Sequence, residues 1–407
     1  MHLRPYVPAL LVVIAGVGAW HWRRQAIPAP SSSVSVPAVS AVAPAFEVGS
    51  GRPESDRAPT TVHGGLARRH RAVGRGPTTA RVLWRRELGS PIEAQITASN
   101  DGLTLYAVTL GGDAIALSAA TGEELWRRNQ GSRVYSAPTV LADGSLVFGR
   151  DGGAIVALTA AGAPRFRFET EQDCDVSVVE HGGALLTACG QRLLALQPNG
   201  TLRAEALLAK KSFTTPAVFD DHVVVGSQDG HVRSFRAATL TLEWDTALGA
   251  DVDGGVAIGD DGAIYVGTDA GEVARLDARG TIVWRQKVGN FVRGPLSVAR
   301  NGDVLAGAMG AEPAQVRLRG DSGAVVFRAR TRGTGALEFG IRGGALEDDA
   351  GNLYFGAQDD AVYALAGDGT PWFRFETGGD VDAPLTLLTD GKLLVASDDG
   401  SVTCLAP

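Results

Sequence analysis

The chain has 407 residues, with 53 glycines against two methionines and three cysteines, and a formal charge of −7. That length allows a large buried core, and so much glycine between short apolar runs excludes a helical bundle in favour of a turn-rich all-β fold. Residues 1–80 carry nine arginines against Glu47, Glu54 and Asp56, a net +6, so the remainder holds −13; an acidic body excludes nucleic acid as the ligand, which calls for a basic face.

The first element in chain order is "YVPALLVVIAGVGAWHWRR", an apolar run closed by Trp20, Trp22, Arg23 and Arg24. Its apolar part, about 14–17 residues, is short for a membrane span and long enough for the core of a signal peptide. "VGA" at Val17–Ala19 is a small-residue cleavage site, and the tryptophans suit a membrane interface. Residues 1–25 are read as a signal peptide or uncleaved anchor, with the body outside the cytoplasm and the membrane touched through this segment. No cysteine lies nearby, so a lipid anchor is not expected. Residues 26–80 are Pro/Ala/Ser-rich, then Gly/Arg-rich in "GGLARRHRAVGRG", with no period able to bury a face. They are expected to be a disordered linker.

From residue 81 to 407 the sequence repeats. One copy is "SAPTVLADGSLVFGRDGGAIVAL" (136–158), the last is "DAPLTLLTDGKLLVASDDGSVTCL" (382–405), and eight copies are counted in all, including the one holding "LYAVTLGGDAIALSAATGEELW" (105–126). The period is about 40 residues, the length of a four-stranded propeller blade. Apolar runs are joined by Asp-Gly or Gly-Gly, which supply the positive φ of hairpin turns. Each unit ends in an aromatic: Trp126, Phe166, Trp244, Trp284, Phe327 and Trp372, with Leu202 in the weakest copy. A flat residue at a fixed place in each unit suits docking between neighbouring sheets. The last copy lacks that strand, whereas "TARVLWRREL" (79–88) has no repeat before it. The strand around Trp84 is therefore expected to complete the last blade and close an eight-bladed ring.

"ALSAATGEELW" (116–126) resembles the tryptophan-docking motif of pyrroloquinoline-quinone-like propeller repeats through Ala116, Thr121, Gly122 and Trp126, and "RLDARGTIVW", "RGDSGAVVF" and "ALAGDGTPWF" match it in part. The resemblance implies the propeller fold. Similarity to the quinoprotein dehydrogenases would further imply a quinone in the central channel, a vicinal disulfide and a calcium site. No Cys-Cys pair is present, and no residue can be assigned as base or calcium ligand. No catalytic residue, cofactor or metal is assigned. His2, His21, His63 and His70 fall in the tail; His181, His222 and His231 lack ligand spacing.

One acidic feature recurs. "DCD" (173–175) and "DVD" (251–253 and 380–382) precede the first strand of their units, placing Asp175, Asp253 and Asp382 at one repeat position that Ser136, Thr214 and Gly294 fill elsewhere. The innermost strand begins there, so the acids either form a channel mouth for a cation or basic partner segment, or cap loop backbone. Cys174 and Cys189 flank the turn "EHGG" symmetrically and would face each other in a hairpin, as a disulfide or as two thiols. Three functional readings follow: a monomeric, non-catalytic, envelope-tethered scaffold that binds another protein, by analogy with the propeller lipoprotein of outer-membrane protein assembly; a quinone-dependent oxidoreductase or its degenerate relative; and a cation- or small-ligand-sensing propeller.

Overall fold

Eight four-stranded antiparallel sheets make up the ring in this computed structural model, which describes residues 59–407. The expected leader or anchor (1–25) and the linker as far as residue 58 lie outside the described residues. Blade 1 comprises Thr97–Ala98, Thr104–Val108, Asp113–Ser118 and Glu124–Asn129, ordered from the axis outward. Blades 2 to 7 follow in chain order. Blade 8 comprises Thr386–Leu387, Leu393–Ala396 and Ser401–Leu405, and its outermost strand is Val82–Glu87. Trp84 lies opposite Cys404 in that pairing, so the expected closure by the N-terminal strand is what the chain forms.

The core lies between blades. Trp84, Leu394, Val402 and Cys404 of blade 8 share one buried cluster with Ile115 and Leu117 of blade 1. The middle strands are covered on both faces, which is why they read as unbroken apolar runs; Ala154–Leu158 is buried throughout. The outermost strands alternate half-buried and exposed residues, as Pro164–Glu169 does. They have one neighbour and one solvent face.

Two contacts recur around the ring. The first is the aromatic of the outermost strand. A Cβ on Gly122 would meet Trp84 at 2.5 Å, on Gly162 Trp126 at 2.8 Å, and on Gly280 Trp244 at 2.6 Å. The Trp126 and Trp244 indoles also donate to the carbonyls of Ala160 and Ala278 in the next blade. Trp284 does the same with Gly320. Pairing refines two assignments: the docking position of blade 7 is Phe373, opposite Ala364, with Trp372 one residue before it, and that of blade 3 is Ala204, opposite Ala195, not Leu202.

The second contact is an apolar peg. At five of the eight junctions the loop entering a blade buries one residue against a glycine in the second strand of the preceding blade: Gly149, Gly226, Gly267, Gly307 and Gly356. An added Cβ would lie 2.2 Å from Val252 at Gly226, 2.5 Å from Val292 at Gly267, and 2.2 Å from Val381 at Gly356. These glycines are required for space rather than for backbone conformation.

Residues 59–80 correct the linker expectation. They run as a strap around the axial end of the ring. Pro59, Thr60, Leu66, Ala67, Arg69 and His70 accept hydrogen bonds from the inner-strand N–H groups of Ala98, Val140, Val218, Ile258, Val298 and Glu347, on blades 1, 2, 4, 5, 6 and 7. His63, Ala67, Arg68 and His70 are buried. The segment has no core of its own, so it shows no hydrophobic period; it is held by edges that blades offer to the axis.

Gly226→Ala is expected to cost about 1–3 kcal/mol through overpacking against Val252, lowering the melting temperature by roughly 2–6 °C in calorimetry. Val252→Ala in the same chain should recover part of that loss.

Candidate functional site

The pegs place the site. Along an extended segment neighbouring side chains point to opposite sides. With Ile92, Val134, Cys174, Val252, Val292, Ile341 and Val381 buried between blades, the following residue faces the axis. Strand pairing defines this position as the fifth before Ala98, Val140, Glu180, Val218, Ile258, Val298, Glu347 and Leu387. Its occupants around the ring are Glu93, Tyr135, Asp175, Phe213, Asp253, Arg293, Arg342 and Asp382.

Asp175, Asp253 and Asp382 thus share one position. The residues equivalent to them in blades 2, 4 and 6 are Tyr135, Phe213 and Arg293, each one before the expected Ser136, Thr214 and Gly294. The mouth is also not purely acidic. Glu93, Arg293 and Arg342 share no residue type with the three aspartates, so a recurring Asp does not mark them; their signal is the recurring pair of an apolar residue followed by any residue, as in Ile92-Glu93 and Ile341-Arg342.

Seven of these eight side chains line a cavity of about 510 Å³, together with Val62 of the strap. Asp253 lines an adjoining cavity of about 130 Å³ with His63 and Arg68. Arg293 is held by Asp269, with Nε 3.0 Å from Oδ1 and one terminal nitrogen 2.7 Å from Oδ2. It also stacks 4.3 Å from the Phe291 ring centre. The Arg342 Nε lies 3.8 Å from Asp382 Oδ2. Glutamines of the preceding blades donate to two of the acids: Gln228 to Asp253 at 3.3 Å and Gln358 to Asp382 at 3.2 Å. One oxygen each of Asp175, Asp253 and Asp382 is buried with no hydrogen-bond partner.

That leaves strong acceptors unsatisfied in a partly desolvated cup. Burial, then a hydrogen bond and repulsion from Asp151, lifts Asp175 to about 7. Burial and the charges of Asp382, Glu93 and Asp380 lift Asp398 to about 7. Burial is also the main cause that raises Glu93, Asp253 and Asp382. The arrangement favours a ligand that brings positive charge or N–H donors. Among the described residues, no group of three or more His, Cys, Asp or Glu is placed to hold a metal ion. His222 and His231 instead pair with Glu243 and Asp245.

Cys174 and Cys189 are joined by a disulfide, with Cα atoms 4.2 Å apart, and Cys404 is a buried free thiol. Cys174 takes the peg position of blade 3, so the bridge ties the mouth loop carrying Asp175 to the second strand of its own blade. Intact mass with and without reductant and alkylation should report one bridge and one thiol.

The acids set a pH dependence. Native Asp175 holds a proton up to about pH 7 that the unfolded chain releases near the ordinary carboxyl value of 3.8. The native state therefore binds more protons across that window, and this contribution to stability falls as pH rises through it. His63 and His70 act oppositely: burial holds His63 well below its ordinary value and His70 at about 4, so their contribution falls with acidification from about 6.5. Asp175→Asn is expected to melt roughly 2–4 °C above the native sequence at pH 8. The gap should narrow as pH falls through the window and close only near pH 4, and the difference between the two melting curves reports this group.

A family model described as "Outer membrane protein assembly factor BamB" matches residues 70–204 and 228–311, more than half of the chain. The outer membrane protein assembly factor BamB of Burkholderia pseudomallei (strain K96243) is 27% identical over 224 residues, covering 52% of this chain. The match spans 58% of that protein, less than two thirds of its length. Among solved structures, BamB from Moraxella catarrhalis is similar with a TM-score of 0.69 at 18% identity, covering 80% of this chain and 99% of that one. The quinohemoprotein alcohol dehydrogenase of Comamonas testosteroni gives 0.71 at 11% identity, covering 85% and 80%. At such identities the two structures show a shared propeller fold and no more. The family match is of another kind, and by it this chain belongs to the family of the outer membrane protein assembly factor BamB.

Proposed function

We propose that the protein is a non-catalytic scaffold of the cell envelope that docks another protein of outer-membrane assembly at the mouth of its central cavity. Family membership supports the class of role and the envelope location. The observation that carries the docking site is the convergence of Asp175, Asp253 and Asp382 on the cavities, each with one buried oxygen unpartnered. With Glu93 they outnumber Arg293 and Arg342, and Arg293 is already engaged by Asp269. A partner segment carrying lysine or arginine beside an apolar residue would satisfy the carboxylates and cover Tyr135 and Phe213. Anchoring through residues 1–25 and a monomeric state belong to the same proposal.

Oxidoreductase chemistry finds less support. The disulfide joins Cys174 to Cys189 rather than adjacent cysteines, and strap residues Val62 and His63 line the space at the axis. The residues present do not fit a quinone cofactor.

Replacing Asp175, Asp253 and Asp382 together by Asn should weaken capture of the partner at least about tenfold in cross-linking from intact membranes, equivalent to ~1.4 kcal/mol. Unchanged capture by a folded triple variant would overturn the assignment of the mouth as the docking site.

A further inference from the structure

The strap does more than closing the ring requires. The innermost strand of each blade is a sheet edge, with N–H groups turned to the axis. Six of these, on six different blades, donate to strap carbonyls at 2.8–3.1 Å. The ring thus presents one repeated docking element, and a single segment, turned at Val62–Gly64 and at Arg68, reads it on six blades.

The side chains repeat the match. The Arg69 guanidinium donates to the carbonyls of Ile258 and Gly259, at 2.8 and 3.1 Å. Arg71, two residues on, donates to Val298 and Ala299, at 2.7 and 2.9 Å. Ile258 and Val298 are equivalent positions of consecutive blades, opposite Ile264 and Val304. Arginines spaced by two along the strap therefore span the same carbonyl pair one blade apart, and both reach Asp260 at 2.9 Å. The ring answers with Arg300, which donates to the Ala72 carbonyl. Val62, Leu66 and Ala67 pack onto three different inter-blade clusters. His63 and His70 stack with ring centres 4.2 Å apart, which folds the segment back across the axis.

We propose that the axial ends of the inner strands form a peptide-binding ring for an arginine-bearing segment, filled in cis by residues 59–72. Recognition is by one backbone bond to each of six sheet edges, which gives affinity, and by guanidinium forks, which give register. Because Val62 and His63 line the central cavities, occupancy of the ring also shapes the floor of the candidate docking site.

The test keeps the whole chain. A specific protease sequence is inserted between Thr78 and Thr79, which are exposed, and the folded protein is cut there. The fragment that ends at Thr78 should stay bound through gel filtration. In the Arg69→Ala/Arg71→Ala variant it should leave at least about tenfold faster. Arg69→Lys/Arg71→Lys should fall between, since an ammonium keeps the attraction of Asp260 and cannot span two carbonyls. A labelled synthetic peptide of residues 59–76 should then bind the emptied ring. Equal release from the native and double-alanine chains would overturn the proposal, as would failure of the peptide to bind the emptied ring. Should the double-alanine chain not fold, Asp260→Asn keeps both forks and should still speed release, by about threefold; no change there would count against the proposal in the same way.

Discussion

Each blade is apolar on both faces, and that constraint organises the molecule. A sheet such as blade 2, with Leu146–Arg150 and Ala154–Leu158 buried residue by residue, has no face it can leave to water. Every blade needs a neighbour on each side, and a linear stack would end in two exposed apolar faces. Only a closed ring removes both ends. Closure here depends on a strand from the start of the repeat region pairing with the end of the chain, so Trp84 docks blade 8 on blade 1 through Gly122.

The candidate site is a by-product of the same packing. Pegs such as Val252 and Val381 must enter the spaces left by Gly226 and Gly356, and strand alternation then turns the next residue to the axis. The scaffold specifies the place of that residue and leaves its identity free. Across the eight blades the place holds acids, arginines and aromatics, whereas the pegs stay apolar apart from Cys174 and Ser212. Architecture and chemistry occupy alternate residues of one short segment.

The contrast explains what was legible in the sequence. Eight blades, their turns and the closing strand follow from spacing, because the same packing problem is solved eight times. Asp175, Asp253 and Asp382 were visible as a recurrent acid, but the register in the other blades was off by one. Loop residues carry no period, and only the pairing of Val298 with Val304 and its counterparts aligns Arg293 with the acids. The strap is hidden in the sequence for a related reason. Hydrophobic periodicity reports a segment that buries its own face, while residues 59–72 bond to edges supplied by six blades. Nothing in "GGLARRHRAVGRG" announces that its arginines match carbonyl pairs on the ring.

The strap also stands between the outermost strand of blade 8 and everything upstream in the chain. Val82–Glu87 closes the ring through a single edge pairing, which would unzip bond by bond if tugged from one end. A pull arriving from before Pro59 does not reach that strand first. It meets in turn carbonyls held by six separate blades and two guanidinium clamps. The seam strand is therefore the last of these contacts that a load from upstream would reach.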